Sequence, residues 1–584
     1  MCGIIGITGK NNIKFDLIKC LKNLEYRGYD SVGIYLNKLI KTKGRVSDLE
    51  KLIDDSINSS CGLGHSRWAT HGIVNNVNAH PFISYNQKFV LVHNGIITNY
   101  LEIKENLLIK GYKFYSDTDS EVVCNLLDCY YLKYHDAFKS LKLTLNNLEG
   151  SYALGIINLD EPNKIYFAKK DSPLVIGKSS NFNFIVSDIN SSYFLTNEFI
   201  ILNDKEYGYL DSDTIHIYLK DKEILKNSIT LNLDNKEITK DGFEHFMLKE
   251  IHEEPKVLKN ILDKYTLNNK ICLDPLFIKE LVNADEINIL GCGTSYHAAL
   301  IGKEVIEKLT MKKVNVYLAS EFSNANLINY NSPFIFLSQS GETIDLKIAY
   351  NNIKNKDKIY TFTNVLTSSL AQLANKAFDL CSGIEIAVAS TKAYISEVTL
   401  LIMIAYKMIN KDEIFINEIY NCINSINKTL NTKESIYELA TKIQDSTSLF
   451  FLGRGMDHLI NLENSLKLKE VSYIHSEAFY GGELKHGSIA LISKGINVIG
   501  LITNEKYLTL LSNIKEVESR HANVSLISTS NLNINSQYVI ECNNELFTPI
   551  IVSPFFQLLS YYCAKLNNRD IDKPRNLAKS CTVE

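Results

Sequence analysis

The chain begins with Met1-Cys2-Gly3-Ile4-Ile5-Gly6, which places a thiol directly after the initiator methionine. Removal of Met1 would leave Cys2 with a thiol and a free α-amine on one residue. An α-amine with a pKa of about 8 is partly neutral at neutral pH, so it can take the thiol proton directly or through water. Any protein can begin with Met-Cys by chance. Cys2 is therefore a predicted nucleophile only together with the motifs that follow.

The length and composition predict a globular protein of several domains. A chain of 584 residues is too long for one hydrophobic core, and 45% of the residues are hydrophobic. A net charge of -4 gives no general reason to bind nucleic acid or anionic membrane. The richest apolar stretch, residues 398–409, is too short to span a bilayer and contains Lys407. We expect a cytoplasmic protein without nucleic-acid or membrane partners.

The two halves of the chain differ in their patterns of apolar residues. Residues 1 to about 235 read as short alternating strands with two or three helices, for example at 89–93, 164–168 and 214–219, which is an α+β pattern. Residues 234–262 are charged and predict an inter-domain connection that becomes helical. From about residue 279, apolar runs alternate with long helical patterns, as in a parallel sheet covered by helices.

The second half also repeats itself. Residues 287–293 (INILGCG) and 449–455 (LFFLGRG) are both apolar strands that end in G-x-G before a helix, and Gly453 follows Gly291 by 162 residues. This spacing predicts two tandem α/β domains. The alternative is that two unrelated strand-to-helix turns both use glycine.

Polar motifs cluster in the first half. Residues 64–72 (GHSRWATHG) hold the chain's only tryptophan, and Arg67 there can bind a carboxylate with two hydrogen bonds, although the histidines can equally be structural. Asn94 and Gly95 follow an apolar strand, where an amide and a backbone N–H can form an oxyanion hole. Asn-Gly is also the commonest tight-turn pair, so the turn is the alternative.

These motifs resemble, in order, the class II glutamine amidotransferase domain, an N-terminal-nucleophile fold with αββα layers; the matching segments also include residues 26–31, 78–81 and 116–121. The resemblance implies that Cys2 attacks the glutamine amide and that Asn94 with Gly95 stabilises the oxyanion. It implies that Arg67 binds the glutamine carboxylate and Asp119 its ammonium, which gives a zwitterion one fixed charge of each sign. His71 and His80 would support this site, and Trp68 would gate an ammonia channel, with a core aromatic as its alternative role.

Residues 334–337 (FIFL) predict a strand that runs into Ser338-Gln339-Ser340-Gly341-Glu342-Thr343 at the start of a helix. Helix N-terminal N–H groups and hydroxyls can bind a phosphate without lysine, although an ordinary N-cap would look the same. No Walker or G-x-G-x-x-G motif follows a strand, so nucleotide binding is not supported. The twelve cysteines contain no C-x-x-C pair, which gives no sign of a zinc ribbon or a dithiol redox site.

Two further segments carry candidate chemistry. Residues 467–478 and 482–487 can be a solvated helical face, or Glu470 and His486 can move protons on a sugar. Residues 572–584 would ordinarily be a frayed polar terminus.

Together these segments resemble the paired sugar-isomerase (SIS) domains of the isomerising glutamine:fructose-6-phosphate aminotransferases, over essentially the whole chain. The resemblance implies that Lys579 forms a Schiff base with the sugar ketone, that Glu470 moves a proton between C1 and C2, and that His486 assists ring opening from a neighbouring subunit. The residues that would bind the sugar phosphate are Thr294, Ser295, Ser338, Gln339, Ser340, Thr343, Ser390 and Lys467.

The resemblance also implies the domain order and the partners. We expect an amidotransferase domain at 1–236, a linker at 237–278, flavodoxin-like SIS domains at 279–420 and 436–570, and a catalytic tail at 571–584. The expected substrates are L-glutamine and D-fructose 6-phosphate, the expected state is a homodimer, and no metal or organic cofactor is required. The expected product is glucosamine 6-phosphate, the start of hexosamine synthesis.

Three segments depart from the family pattern: Ser488 after the His-Gly pair, the bulkier residues 456–464, and Lys170 with Asp171. None removes a proposed catalytic group. One rival is an amidotransferase acting on phosphoribosyl pyrophosphate or aspartate, but it needs a nucleotide or pyrophosphate site. A second rival, a sugar-phosphate sensor without catalysis, predicts loss of Cys2, Glu470 or Lys579, and all three are present.

Overall fold

A computed structural model describes residues 2–69, 71–231, 239–534, 536–542 and 544–581. The chain divides into two compact units. The first comprises Met1–Thr239 together with Ala578–Glu584, and the second comprises Lys240–Leu577.

The first unit contains fifteen strands and five helices in its described residues. The strands are β1 (Gly3–Gly9), β2 (Ser31–Tyr35), β3 (Leu39–Lys43), β4 (Cys61–Arg67), β5 (Phe82–Ile83), β6 (Phe89–Ile97), β7 (Gly150–Asn158), β8 (Ile165–Lys170), β9 (Val175–Lys178), β10 (Phe182–Val186), β11 (Glu198–Ile201), β12 (Tyr207–Leu210), β13 (Ile215–Leu219), β14 (Lys222–Ile224) and β15 (Ile229–Thr230). The helices are α1 (Lys14–Leu24), α2 (Val46–Glu50), α3 (Tyr100–Ile109), α4 (Asp119–Tyr134) and α5 (Ala137–Leu145). The expectation of two or three helices was too low, because short helices such as α2 carry little periodic signal.

Two antiparallel sheets form the middle of this unit, in the strand orders β15-β11-β9-β10-β1-β4-β2-β3 and β14-β13-β12-β8-β7-β6-β5. Side chains alternate between the two faces of each strand. Ile4 of β1 therefore joins the core between the sheets, with Val92 and Phe167, while Ile5 packs outward against α1. Helices α3, α4 and α5 cover the outer face of the second sheet. The result is the αββα arrangement that the sequence predicted.

The second unit contains twelve strands and twelve helices in its described residues. The helices are α6 (Phe246–His252), α7 (Glu254–Tyr265), α8 (Pro275–Asn283), α9 (Thr294–Thr310), α10 (Ile344–Asn352), α11 (Ser369–Leu373), α12 (Lys392–Met408), α13 (Asp412–Asn431), α14 (Lys433–Ile443), α15 (Met456–Ser472), α16 (Leu510–Glu518) and α17 (Thr548–Leu566). The strands are β16 (Thr266–Leu267), β17 (Lys270–Ile271), β18 (Glu286–Gly291), β19 (Lys313–Leu318), β20 (Phe334–Leu337), β21 (Ile359–Thr363), β22 (Lys376–Asp379), β23 (Ser448–Gly453), β24 (His475–Tyr480), β25 (Asn497–Ile502), β26 (Asn523–Ser528) and β27 (Gln537–Val539).

Two parallel five-stranded sheets have the same topology. Their orders are β19-β18-β20-β21-β22 and β24-β23-β25-β26-β27, so each sheet runs 2-1-3-4-5 in its own strand numbering. This is the flavodoxin-like order, in which ligands bind at the carboxyl ends of strands 1 and 3. The internal repeat predicted from the two G-x-G turns is confirmed, since both turns follow the first strand of a sheet.

One segment of the described chain, Glu545–Leu566, is long and apolar enough to cross a membrane by length and composition, with a mean hydropathy of 1.3. Within the second unit, 94% of the apolar 18-residue window in that segment is buried. It contains α17, which packs against α14 and α15 in the core. This helix, and not residues 398–409, is therefore the stretch that most resembles a membrane span, and here it is a core helix.

Candidate active sites

Cys2 lies at the start of β1, where Gly3 pairs with Ser66 of the neighbouring β4. A Cβ atom on Gly3 would lie 2.6 Å from Ser66 Oγ, so glycine permits this close approach. The thiol consequently meets the end of β4: Trp68 N donates to Cys2 Sγ at 3.3 Å, and Sγ donates to Trp68 O at 3.4 Å. Burial raises the pKa of the Cys2 thiol, against the Trp68 hydrogen bond and Arg67, which lower it. The resting sulfur is a neutral thiol that needs a base.

Asn94 and Gly95 lie on β6 beside Cys2. Asn94 Nδ2 donates to the Cys2 carbonyl at 2.9 Å. His65 Nε2 lies 3.0 Å from Asn94 Oδ1, which fixes the amide with its NH2 group toward Cys2. Burial lowers the pKa of His65 to about 3, so the ring is neutral and keeps its proton for this bond. Gly95 has φ +129°, and a Cβ there would lie 2.1 Å from Ser151 O, so the position requires glycine.

A buried cation and a buried anion belong to the same unit. Arg67 is 3% exposed and donates through Nη2 to the carbonyls of His71 and Gly72, while its Nη1 has no hydrogen-bond partner among the described residues. Asp119 is 4% exposed and accepts from Ile97 N at 2.8 Å. An unused guanidinium donor and a positioned carboxylate are what a zwitterionic ligand needs.

In the second unit, Ser338 begins the turn between β20 and α10. Ser338 Oγ accepts from Gly341 N at 3.0 Å and lies 2.9 Å from Thr343 Oγ1. Gly341 has φ +65°, and a Cβ there would lie 1.9 Å from Ser368 Oγ. Ser340 Oγ accepts from Glu342 N at 3.2 Å. Hydroxyls and N–H groups therefore surround the first turn of α10, and the Gln339 carbonyl accepts from Asn364 N at 3.1 Å.

The turn after β18 brings two hydroxyls to buried carboxylates. Thr294 Oγ1 donates to Glu463 at 3.0 Å, and Ser295 Oγ donates to Glu397 at 2.8 Å. Ser390 Oγ donates to Glu385 at 3.0 Å, in the segment before α12. Thr294, Ser295 and Ser390 are thus brought to one carboxylate-rich region, since Glu385 and Glu463 both act electrostatically on Glu397.

A lysine and two glutamates share one face of α15. Lys467 is 2% exposed, and its Nζ lies 2.5 Å from Glu470 and 3.4 Å from Glu463. Residues three and four apart on a helix are neighbours, which accounts for this spacing. The carboxylates raise the pKa of the Lys467 ammonium against the opposing effect of burial, so it stays charged. Its contacts in the structure are to these carboxylates.

The tail up to residue 577 is held rather than frayed. Asp572 accepts from Phe246 N at 3.0 Å and Met247 N at 2.9 Å, so it caps α6. Arg575 N donates to the Tyr473 hydroxyl at 2.7 Å, and the Arg575 guanidinium lies 4.4 Å from the centre of that ring. Lys579 is half-buried and belongs to the first unit. His486 lies in a short 3-10 turn and is exposed.

The comparisons with known proteins agree over the whole chain. Residues 1–192 match the glutamine amidotransferase domain, and residues 280–407 and 442–557 match the SIS domain. The chain is 42% identical over 604 aligned positions to a protein of Bacillus cereus named glutamine–fructose-6-phosphate aminotransferase [isomerizing], with all of both chains covered. A protein of the same name from Clostridium perfringens is 41% identical, again over all of both chains.

The chain belongs to the isomerising glutamine–fructose-6-phosphate aminotransferase family. A solved C-terminal domain from Francisella tularensis, titled as that of glucosamine-fructose-6-phosphate aminotransferase, is 31% identical with a TM-score of 0.54. It covers 57% of this chain, and all of that domain is aligned. The predicted family and fold class are confirmed.

Sequence reasoning did not single out four polar residues that the structure brings to the sites of this family member: His65, Glu385, Glu397 and Glu463. His65 lies inside the motif at 64–72, so a signal was present but ambiguous. Glu463 lies in the stretch at 456–464 that departs from the family pattern. Glu397 had no signal because its partner Ser295 lies 102 residues away, and Glu385, five residues before its partner Ser390, lies in no recognisable motif.

Proposed function

We propose that the protein converts fructose 6-phosphate and glutamine into glucosamine 6-phosphate and glutamate, at two sites. The observation that carries the proposal is the match of the chain to members of this family over their whole length, and contacts within each unit support it. In the first unit, Asn94 Nδ2 donates to the Cys2 carbonyl and Trp68 N donates to the Cys2 thiol. In the second unit, Lys467 Nζ donates to Glu470.

At the first site, the glutamine carboxylate binds the free Nη1 of Arg67 and the ammonium binds Asp119. The α-amine released by removal of Met1 accepts the thiol proton, and Cys2 attacks the side-chain amide. The Asn94 amide and Gly95 N–H stabilise the oxyanion, which typically lowers a barrier by about 3 kcal/mol per donor. Collapse of this intermediate releases ammonia and leaves a thioester, which water hydrolyses to glutamate.

At the second site, the phosphate binds the hydroxyls of Ser338, Ser340 and Thr343 at the N-terminus of α10, beside Gln339. Thr294, Ser295 and Ser390 contact the sugar. Glu470 carries a proton between C1 and C2, and the ion pair with Lys467 holds its carboxylate in position.

Lys579 forms the Schiff base with the ketone in this proposal. Its support is the anchoring of the tail: Arg575 is bonded to Tyr473, three residues beyond Glu470, and Lys579 follows four residues later. A neutral amine is required for attack, so the proton of Lys579 must leave before the carbon–nitrogen bond forms.

Trp68 gates the ammonia route between the sites in our proposal. Its backbone N–H and carbonyl both bond the thiol of Cys2. Acylation of the sulfur removes the thiol proton that Trp68 O accepts. Acylation of Cys2 can therefore change the position of the Trp68 indole through the backbone of Trp68 itself.

We further propose a homodimer in the cytoplasm. His486 is exposed, and its side chain has no hydrogen bond within the described residues of its own chain, as expected of a group that serves a partner's site. All twelve cysteines are free, which suits a reducing compartment.

The test is incubation of the processed full chain with glutamine and fructose 6-phosphate, with mass detection of hexosamine phosphate and glutamate. We expect equal amounts of both products. Binding of the sugar without amino sugar would favour the sensor without catalysis and contradict the proposal.

Two variants separate the sites. Cys2→Ala should abolish glutamine hydrolysis while sugar-phosphate isomerisation persists, because the two reactions use different residues. Lys579→Arg should abolish synthesis and keep glutamine hydrolysis. Loss of both reactions in Cys2→Ala, or wild-type synthesis by Lys579→Arg, would refute the assignment of that residue.

A further inference from the structure

Glu397 is a buried carboxyl that the mechanism above does not use. It lies on α12 and is 1% exposed. Its Oε1 accepts a hydrogen bond from Ser295 Oγ at 2.8 Å, and its Oε2 is buried without a hydrogen-bond partner in the described part of the chain. A buried ionised carboxylate with one partner is costly, so the environment favours the neutral acid.

The charged groups around Glu397 reinforce this preference. Burial, together with the neighbouring carboxylates Glu385 and Glu463, raises the pKa of Glu397 to about 8, against the Ser295 hydrogen bond, which lowers it. The nearby basic side chains already contact other carboxylates: Lys467 and His297 contact Glu463, and Lys392 contacts Glu253. Two further buried groups interact electrostatically with these carboxyls: Tyr394, on the same helix, with Glu397, and Glu254, on α7, with Glu385.

The hydrogen bond with Ser295 determines the direction in which a neutral Glu397 points its proton. A neutral carboxyl must donate its O–H, and within the described residues the acceptor at hydrogen-bond distance is Ser295 Oγ. Ser295 then accepts from Glu397, which frees the serine hydrogen to point to a ligand. When Glu397 loses its proton to solvent, Ser295 must donate to the carboxylate and offers a ligand only lone pairs.

We propose that Glu397 is a positioning residue that makes Ser295 a hydrogen-bond donor to the bound sugar phosphate while the carboxyl is neutral, so that sugar affinity falls when the carboxyl ionises. This rests on the proposed function, in which Ser295 lines the sugar site. Ionisation also adds a negative charge near an anionic ligand, which acts in the same direction.

The experiment is calorimetric titration of the full chain with sorbitol 6-phosphate, which keeps the phosphate and hydroxyls but has no carbonyl to react with a lysine. Titrations at about pH 7 and about pH 9.5 compare neutral and ionised Glu397, while the phosphate, with a second pKa of about 6, is a dianion in both. The wild type should lose about ten-fold in affinity, the scale of one hydrogen bond to a charged group.

The informative variant is Glu397→Gln, because the amide donates to Ser295 at every pH and mimics the neutral acid. Its affinity should change less than about two-fold between the two pH values. Ser295→Ala should bind more weakly at pH 7 and should lose most of the pH dependence, keeping only the part that the charge of Glu397 exerts on the ligand directly. The exposed carboxylate of Glu541, paired with Lys428, gives a matched control, since Glu541→Gln should keep the full wild-type loss.

An equal loss in the wild type and in Glu397→Gln would overturn the inference, as would a wild type without pH dependence. If Glu397→Gln does not fold, Ser295→Ala decides alone, because a pH dependence as large as that of the wild type would exclude a relay through the serine. Failure of the proposed function gives a different result: the wild type would bind neither sorbitol 6-phosphate nor fructose 6-phosphate at pH 7.

Discussion

The two parallel-sheet domains of the second unit share a topology but differ at the same turn. Gly293 (φ 53°, ψ -124°) and Gly455 (φ 49°, ψ -125°) both precede a 17-residue helix. A Cβ on Gly293 would meet no atom within 4 Å, whereas one on Gly455 would lie 2.4 Å from the Tyr507 hydroxyl. The first turn is open to a ligand, and the second is filled by the protein itself.

The segments that follow the third strand of each sheet, β20 and β25, show the same contrast between an open and a filled turn. Residues 338–343 (SQSGET) carry three hydroxyls at the start of α10, whereas 503–508 (TNEKYL) carry Thr503 and Tyr507. Thr503 donates through both N and Oγ1 to Asp457, which closes the second turn with protein groups. Of the two domains, the first therefore keeps polar groups accessible to a ligand at the carboxyl ends of strands 1 and 3, where ligands bind in this fold.

The helices that follow the two turns differ in the opposite direction, because the helix of the second domain carries the charged side chains. With the offset of 162 residues, α15 carries Glu463, Lys467 and Glu470 where α9 carries Ile301, Val305 and Lys308. Ile301 and Val305 are core residues. In the proposed function, one domain supplies the phosphate turn and the other supplies the helix with Lys467 and Glu470, so neither domain alone would form the sugar site.

The largest effect is expected at Lys467. Lys467→Met leaves two partly or fully buried carboxylates without their cation, a loss of about 3–5 kcal/mol when a buried pair is broken. We expect amino-sugar synthesis to fall by more than about 100-fold, measured as glucosamine 6-phosphate formed, while glutamine hydrolysis persists.

The control is Lys308→Met at the position of α9 that matches Glu470. Lys308 forms an exposed ion pair with Glu545, and such pairs contribute about 0–1 kcal/mol. Synthesis should stay within about two-fold of the wild type. Equal losses in the two variants would mean that the helices are not specialised.

The second effect tests the two hydroxyl turns. The double variant Ser338→Ala, Thr343→Ala removes two hydrogen bonds to a phosphate, and bonds to charged groups contribute about 1.5–3 kcal/mol each. Affinity for fructose 6-phosphate should fall by more than about 100-fold in calorimetric titration.

Thr503→Ala is the matched change in the second domain. It should leave sugar affinity unchanged but lower the free energy of unfolding of the second unit by about 1–3 kcal/mol, because one oxygen of buried Asp457 loses its donor. Reduced sugar affinity in Thr503→Ala would assign the second turn to the binding site and break the comparison.

The sequence alone predicted those features of the fold that short, contiguous motifs encode. The G-x-G repeat at Gly291 and Gly453 identified the two domains, and the hydroxyl turn at 338–343 was found because its residues are contiguous. The carboxylates that accept from Thr294 and Ser295 were not found, because they lie 169 and 102 residues away in the sequence. Glu385, the partner of Ser390, is close in sequence but belongs to no recognisable motif.

The filled second turn was also beyond sequence reasoning. The strand-to-helix patterns at 449–455 and 287–293 look alike, and nothing local indicates that Tyr507 closes the space above Gly455. Occlusion is a property of packing, and a tyrosine after a strand is equally compatible with exposure.

The third effect is a pH dependence of stability at Asp457. This carboxyl is fully buried, and burial raises its pKa to about 7, against the hydrogen bonds from Thr503 that lower it. Because the folded pKa lies above the unfolded value of 3.8, the stabilisation is complete below that value and is lost as pH rises to about 7.

Asp457→Asn removes this titration. Between about pH 5 and pH 7, wild-type stability relative to the variant should decline by roughly 2–3 kcal/mol and then level off, measured by denaturant unfolding of the second unit. A parallel pH dependence of the two proteins would show that Asp457 does not titrate in this range.

The smallest effect is expected at Tyr507, whose hydroxyl accepts from Met456 N at 3.3 Å. Tyr507→Phe removes this acceptor but leaves the ring in place, so the loss of stability should be about 0.5–1.5 kcal/mol. Sugar affinity should stay unchanged, and titration should still give one sugar phosphate per chain, since the ring continues to fill the turn. A second equivalent bound by Tyr507→Phe would mean that the hydroxyl alone closes the site, and that the second domain retains a phosphate turn which one oxygen atom conceals.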